Sequence, residues 1–268
     1  MRKFRILLLP IILLACNNEG SDKDSSIDPV SNGIPPPQNL SYTILAQHPH
    51  DTSAYTQGLE IFKGKLFEST GDYQNSSLRI TDYKTGSVEK KHVMGTEKIF
   101  GEGITIFNNK IYQLTWQSNI VYVYDAGNIE KPVATFKWPY EGWGITHDSS
   151  SLIISDGSAN LYFVNPLDFS VKSTIRVTDN KGPVNEINEL EYINGSVYAN
   201  VYLTNDIIRI DPKNGHVTGK MTLDNLLQRN EFIPNRTDVL NGIAYDSTSN
   251  TILITGKRWP KLFELKIN

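Results

Sequence analysis

A small set of polar and aromatic side chains in this sequence recurs in step, and together they have the makings of a pocket. Glu102 is a carboxylate between Gly101 and Gly103, and Lys257 supplies an ammonium. Gln57, Asn188 and Asn241 supply carboxamides, while Trp116, Trp143 and Tyr202 supply aromatic faces. One acid, one amine, several amides and an aromatic wall can hold a small polar group and move a proton. Each residue also has an ordinary structural use. Trp116 and Trp143 suit packing between sheets, Asn188 and Asn241 suit turns, and Lys257 suits a solvated surface.

What brings these residues into register is an internal repeat. Short β-rich runs recur between Gly, Asn, Asp and Ser, and each unit opens on a small motif. The motifs are Gln57-Gly58-Leu59, Glu102-Gly103-Ile104, Trp143-Gly144-Ile145, Asn188-Glu189-Leu190 and Asn241-Gly242-Ile243, at intervals of 45, 41, 45 and 53 residues. A second run follows each motif and a third follows in turn. Four repeats add a fourth run, such as Val88 to Val93 or Val171 to Val177. The fifth repeat ends at Asn268 without one, and Tyr42-Thr43-Ile44-Leu45 supplies it from the other end. Four antiparallel strands per unit at this period predict an all-β, five-bladed β-propeller. Pairing the N-terminal strand with the last blade closes the ring and removes an exposed edge. A β-sandwich of irregular meanders predicts neither the five in-phase units nor the complementary termini. The one stretch suited to a short helical turn is Met221 to Gln228.

In a propeller the first strand of each blade lines the central channel and the second runs back beside it. The start of strand one and the end of strand two therefore share a rim. Strand-one starts are Gln57, Glu102, Trp143, Asn188 and Asn241; strand-two ends are Gly71, Trp116, Gly157, Tyr202 and Lys257. Structural duty alone favours like residues at like positions, and these are unlike.

The rest of the chain sets the context. Arg2, Lys3 and Arg5 precede an apolar run, Ile6 to Leu14, which is too short to cross a bilayer. It reads as an export signal over residues 1–15, and Leu13-Leu14-Ala15-Cys16 resembles a bacterial lipobox with Cys16 as the lipidated residue. Cys16 is the only cysteine, so no intramolecular disulfide forms. Residues 16–40, rich in Asn, Ser, Asp, Gly and Pro, read as a disordered tether, leaving residues 41–268 for the propeller. The expected location is a bacterial membrane surface, periplasmic or external, with the lipid as the sole membrane contact. With 26 basic against 29 acidic residues, no basic excess points to nucleic acid. The five histidines stand at no metal-ligand spacing. A monomer is the default expectation.

The motifs resemble a known family. Tyr55-Thr56-Gln57-Gly58-Leu59, Phe100-Gly101-Glu102-Gly103, Leu114-Thr115-Trp116, Glu141-Gly142-Trp143-Gly144, Asn188-Glu189-Leu190-Glu191, Leu240-Asn241-Gly242 and Gly256-Lys257-Arg258-Trp259-Pro260 resemble the plant and bacterial type of glutaminyl-peptide cyclotransferase. The resemblance runs from about residue 42 to the end. It implies a metal-independent acyltransferase that closes the N-terminal glutamine of peptides or proteins to pyroglutamate and releases ammonia. It places the acid/base carboxylate on Glu102 and polar substrate contacts on Gln57, Asn188 and Lys257; for such a reaction Lys257, with Gln57 or Asn188, is expected to stabilise the oxyanion. It places the aromatic cage on Tyr55, Phe100, Trp116, Trp143 and Tyr202. Tyr55 stands where phenylalanine is usual and Tyr202 where tryptophan is usual, and both keep an aromatic face.

Two other readings remain open at this level. Some propellers hold calcium in the channel and hydrolyse lactones or phosphoesters, and Glu102, Asn188 and Asn241 are suitable oxygen donors. Against that, Lys257 on the same rim leaves a divalent cation poorly compensated. No cofactor is required on the cyclotransferase reading, which still leaves room for a structural calcium elsewhere in the channel. A non-enzymatic binding propeller is the third reading.

Overall fold

The computed structural model describes residues 32–94 and 96–268. The export-like segment, Cys16 and residues 17–31 lie outside the described residues. Runs of β-branched and aromatic residues bounded by Gly, Asn and Asp form strands here. Two precede the first blade: β1 (Gln38–Asn39) and β2 (Tyr42–Pro49). Blade one is β3 (Thr56–Phe62), β4 (Lys65–Thr70), β5 (Ser77–Asp82) and β6 (Ser87–Val93). Blade two is β7 (Gly101–Phe107), β8 (Lys110–Thr115), β9 (Ile120–Asp125) and β10 (Ala134–Lys137). Blade three is β11 (Ile145–His147), β12 (Leu152–Ser155), β13 (Asn160–Val164) and β14 (Val171–Arg176). A small hairpin, β15 (Thr178–Asp179) and β16 (Gly182–Pro183), leads on. Blade four is β17 (Ile187–Ile193), β18 (Ser196–Val201), β19 (Asp206–Ile210) and β20 (Val217–Thr222). Blade five is β21 (Leu240–Asp246), β22 (Thr251–Gly256) and β23 (Lys261–Ile267).

Strands pair in chain order within each blade, and β2 pairs antiparallel with β23 as the outermost strand of blade five. The ring therefore closes through its two ends, as the sequence predicts. The inner strands β3, β7, β11, β17 and β21 lie side by side in that order, and β21 returns to β3. The result is a five-bladed propeller.

The folded body begins earlier than residue 41. β1 pairs parallel with β20, Leu40 N–H donates to the Lys220 carbonyl, and Leu40 is buried. Leu40 is an apolar side chain at the end of a polar stretch, and burying it docks residues 38–40. The helical turn expected over Met221 to Gln228 also differs. Met221 is buried in β20, and the one 3₁₀ turn among the described residues is Arg229–Glu231.

The core lies between blades. Five apolar clusters occur among the described residues, one for each junction of neighbouring sheets; Leu59 and Leu66 of blade one, for instance, pack on Ala244, Leu253 and Leu262 of blade five. The channel side is polar, and close approach of the inner strands needs small residues. At Gly103 a Cβ would lie 2.7 Å from the Trp143 carbonyl oxygen, to which Gly103 N–H donates at 2.8 Å.

Four inner strands share one irregularity. Their register shifts between Thr56 and Gly58, Gly101 and Ile104, Ile187 and Leu190, and Leu240 and Ile243. A bulge re-aims the side chain it carries, and these bulges carry Gln57, Glu102, Asn188 and Asn241.

Candidate active site

The rim holds a cavity of about 260 Å³ lined by Tyr55, Gln57, Phe100, Glu102, Trp116, Trp143, Asn188, Tyr202 and Lys257. All nine pocket residues that the family resemblance implies meet there, whereas Asn241, also offered by the repeat phase, does not line the cavity. Of the three rim positions left over, Gly71 and Gly157 serve the aromatics and Asn241 holds Gln57. A Cβ on Gly71 would collide with the Phe100 ring, and one on Gly157 would lie 2.6 Å from Trp143. Gly157 also has φ +78°, a left-handed value that favours glycine.

Glu102 is buried, and its Oε1 accepts from Gln57 Nε2 at 3.2 Å. Gln57 Oε1 in turn accepts from Asn241 Nδ2 at 3.3 Å, while the same Nδ2 donates to the Thr56 carbonyl at 3.0 Å. Asn241 thus fixes which way the Gln57 amide faces, and Gln57 presents a donor to the acid. Burial raises the Glu102 carboxyl well above its usual range; the Lys257 charge opposes this and the Glu141 charge adds to it.

Lys257 is buried and makes none of the ion pairs among the described residues. Its Nζ instead lies 4.9 Å from the ring centroids of both Tyr55 and Tyr202, so two aromatic faces hold the cation. Burial lowers its pKa, against the charges of Glu102 and Asp238. Burial therefore acts against the charged form of both acid and amine, while the attraction between their charges opposes it. Asn188 Oδ1 is buried without a protein partner, which leaves it free for a ligand N–H.

The aromatic wall is braced from behind. Phe100 meets Tyr55 edge to face at 6.1 Å and Trp116 at 5.8 Å, and Trp143 meets Tyr202 at 5.6 Å. Trp116 Nε1 and Trp143 Nε1 both donate to Glu141 Oε2, at 2.8 and 3.1 Å, and Gln117 Nε2 donates to Oε1 at 2.9 Å. Burial pushes the Glu141 carboxyl up, but the bonds from Gln117, Trp143 and Trp116 outweigh it and hold the group below its usual range. Tyr55 Oη donates to Asp238 Oδ2 at 2.8 Å, so the extra hydroxyl of this tyrosine is satisfied.

Glu141 and Asp238 are the supports that the sequence did not assign, and Asn241, expected on the rim, supports Gln57 rather than lining the cavity. Glu141 stands two residues before Trp143. Asp238 lies in the segment that stretches the fourth repeat interval to 53 residues, and that excess over the other intervals is the one sequence signal of an insertion there. Deeper in the channel, Glu189 accepts from the backbone N–H of Leu59 at 3.1 Å and of Ile243 at 2.9 Å. It ties blades four, one and five together. Among the described residues, no group of three or more His, Cys, Asp or Glu is arranged to hold a metal ion.

Comparison with known proteins points one way. The sequence pattern of the family described as glutamine cyclotransferase matches residues 11–267. A glutaminyl-peptide cyclotransferase of Arabidopsis thaliana is 38% identical, over 99% of this chain and 84% of its own length. The crystal structure of Myxococcus xanthus glutaminyl cyclase superposes with a TM-score of 0.79 at 34% identity, covering 87% of this chain and 98% of that one.

Proposed function

This chain belongs to the glutamine cyclotransferase family, and from that premise we propose how its pocket closes the N-terminal glutamine of a peptide to pyroglutamate with loss of ammonia. The observation that carries the proposal is the enclosure of a buried carboxylic acid, a buried amine and an unpartnered amide oxygen within one aromatic cavity.

The substrate's own α-amine attacks its own γ-carboxamide carbon, so no enzyme nucleophile is needed and the main task is conformational. Trp116 and Trp143 flank the methylenes and favour the folded-back conformer. Asn188 Oδ1 accepts an N–H of the substrate and orients the amine. As the new C–N bond forms, Glu102 takes a proton from the attacking nitrogen. Lys257 donates to the carbonyl oxygen as it becomes negative; a preorganised donor of this kind typically contributes about 10²–10³-fold. Glu102 then returns the proton to the departing nitrogen, the old C–N bond breaks, and ammonia leaves. The acid ends as the carboxylate it began as. Its raised pKa makes the carboxylate a stronger base for the first transfer. Gln57, held by Asn241, keeps the carboxylate aimed.

Ammonia release from a Gln-initiated dipeptide, matched by loss of free amine, tests the activity. No release from a series of such peptides would remove it. The exported, lipid-anchored location rests on the Leu13-Leu14-Ala15-Cys16 motif. Loss of labelled fatty acid on Cys16→Ser tests that location.

A further inference from the structure

A second cavity, about 320 Å³, is lined in part by Arg258, the residue that follows Lys257 of the first. Its charge comes from Arg79, Lys91, Arg236 and Arg258, against one lining carboxylate, Asp72. Arg79 is already engaged, donating from Nη1 to Asp51 at 2.7 Å and from Nε to Ser77 at 2.9 Å. Asp72 Oδ2 accepts from Asn75. Lys91, Arg236 and Arg258 have no carboxylate partner among the described residues. Three free cations in one concavity mark an anion site by field alone.

Two observations tie this cavity to the substrate's path. The Arg258 guanidinium lies 5.4 Å from the Tyr55 ring centroid, and Lys257 Nζ lies 4.9 Å from the same centroid. Arg258, which lines the second cavity, therefore reaches the Tyr55 ring that lines the first, and the two cationic groups are at most about 10 Å apart. That is roughly the reach of three extended residues at about 3.3 Å each. Arg258 is also built into place. Its backbone sits at φ +60°, unfavourable for a residue with a Cβ, its N–H donates to the Ala54 carbonyl at 2.7 Å, and its Nε is buried with no partner.

We infer that this cavity is a substrate subsite that receives an acidic side chain at the second or third residue of the peptide, with Arg258, Arg236 and Lys91 as its specificity-determining groups. The inference rests on the peptide-cyclising reading of the neighbouring pocket. That pocket takes the glutamine, and the peptide leaving it past Tyr55 meets the cations next.

The test compares Gln-Glu-Ala-Ala-amide and Gln-Ala-Glu-Ala-amide with Gln-Ala-Gln-Ala-amide, in wild type and in the double variant Lys91→Gln/Arg236→Gln. Both substituted residues are exposed and outside the catalytic pocket. Two readouts are taken: kcat/KM for ammonia release, and Kd for the same peptides already closed to pyroglutamate. At low salt the wild type is expected to favour one of the Glu peptides by about tenfold, as charge-assisted bonds allow, with the advantage shrinking as salt is added. The double variant is expected to bring the ratio near one while leaving the Gln-Ala-Gln-Ala-amide rate unchanged. Equal rates and affinities for Glu and Gln peptides in wild type would overturn the subsite, as would an undiminished ratio in the double variant. A preference confined to the free C-terminal acid of Gln-Ala-Ala over its amide would overturn the side-chain assignment. Failure of every peptide to release ammonia while the Kd ratio persists would remove the catalytic reading and leave the anion site standing.

Discussion

Glu141→Gln separates positioning from simple packing. The substitution keeps the shape of the side chain but removes its charge. Glu141 Oε2 accepts two indole N–H groups, at 2.8 and 3.1 Å, and so fixes the facing walls Trp116 and Trp143 with a single atom. A hydrogen bond to a charged acceptor is worth about 1.5–3 kcal/mol and a neutral one about 0.5–1.5 kcal/mol. Glu141 is only partly buried, so solvent screening cuts the difference. A net loss of about 1–2 kcal/mol in wall placement remains, or roughly five- to thirty-fold in kcat/KM. The charge has a second effect. Because Glu141 helps to raise the Glu102 carboxyl, removing it lets Glu102 ionise at lower pH. The ascending limb of kcat/KM that reports Glu102 then moves to lower pH, while the limb of the substrate amine stays fixed. The assay is a pH profile of ammonia release on one Gln dipeptide, beside a melting curve. A rate loss with no shift of the Glu102 limb would refute the electrostatic part of this reasoning. An unchanged rate would refute the clamp.

Lys257→Met removes the oxyanion donor and should lower kcat about 10²–10³-fold. It should also move the Glu102 limb to higher pH, because the Lys257 charge holds that carboxyl down; a shift the other way in the pH profile contradicts the assignment. Tyr55→Phe keeps the ring under Lys257 but deletes the bond to Asp238. Activity should change less than about threefold while thermal unfolding shows a loss of about 1 kcal/mol. Gly157→Ala puts a Cβ against Trp143 at a left-handed φ. Chemical denaturation should show a loss of about 1–3 kcal/mol, with turnover falling as the indole is displaced.

Much of the site was legible because a propeller converts sequence period into geometry. Gln57, Glu102, Trp143 and Asn188 occupy one phase of the repeat, and Trp116, Tyr202 and Lys257 occupy another; blade geometry puts both phases on one rim. Tyr55 and Phe100 came from the family resemblance rather than from that phase argument, although both precede the strand-one motif by two residues. Glu141 was not legible as a clamp, since its role depends on two indoles turning toward one carboxylate oxygen, 25 and 2 residues away. Asp238 depends on an insertion folding back 183 residues to reach Tyr55, and no local pattern encodes that contact. The bulges that aim Gln57, Glu102, Asn188 and Asn241 were invisible for the opposite reason. They are local, but a register shift appears only once the partner strand is known. Docking of Gln38 to Leu40 was hidden by composition, because one leucine in a Pro- and Asn-rich stretch carries little periodic signal.

The most direct test of the account is Glu102→Gln, which keeps the volume and the neighbours of Glu102 but cannot shuttle a proton. The measurement is single-turnover ammonia release from a Gln dipeptide, with Kd for the same peptide taken in parallel. With Glu102 as the proton shuttle, the expected result is an unchanged fold, a Kd within a few-fold of wild type, and a rate lower by about 10²–10⁴-fold. A rate near that of wild type, with the peptide bound and the fold intact, would contradict it.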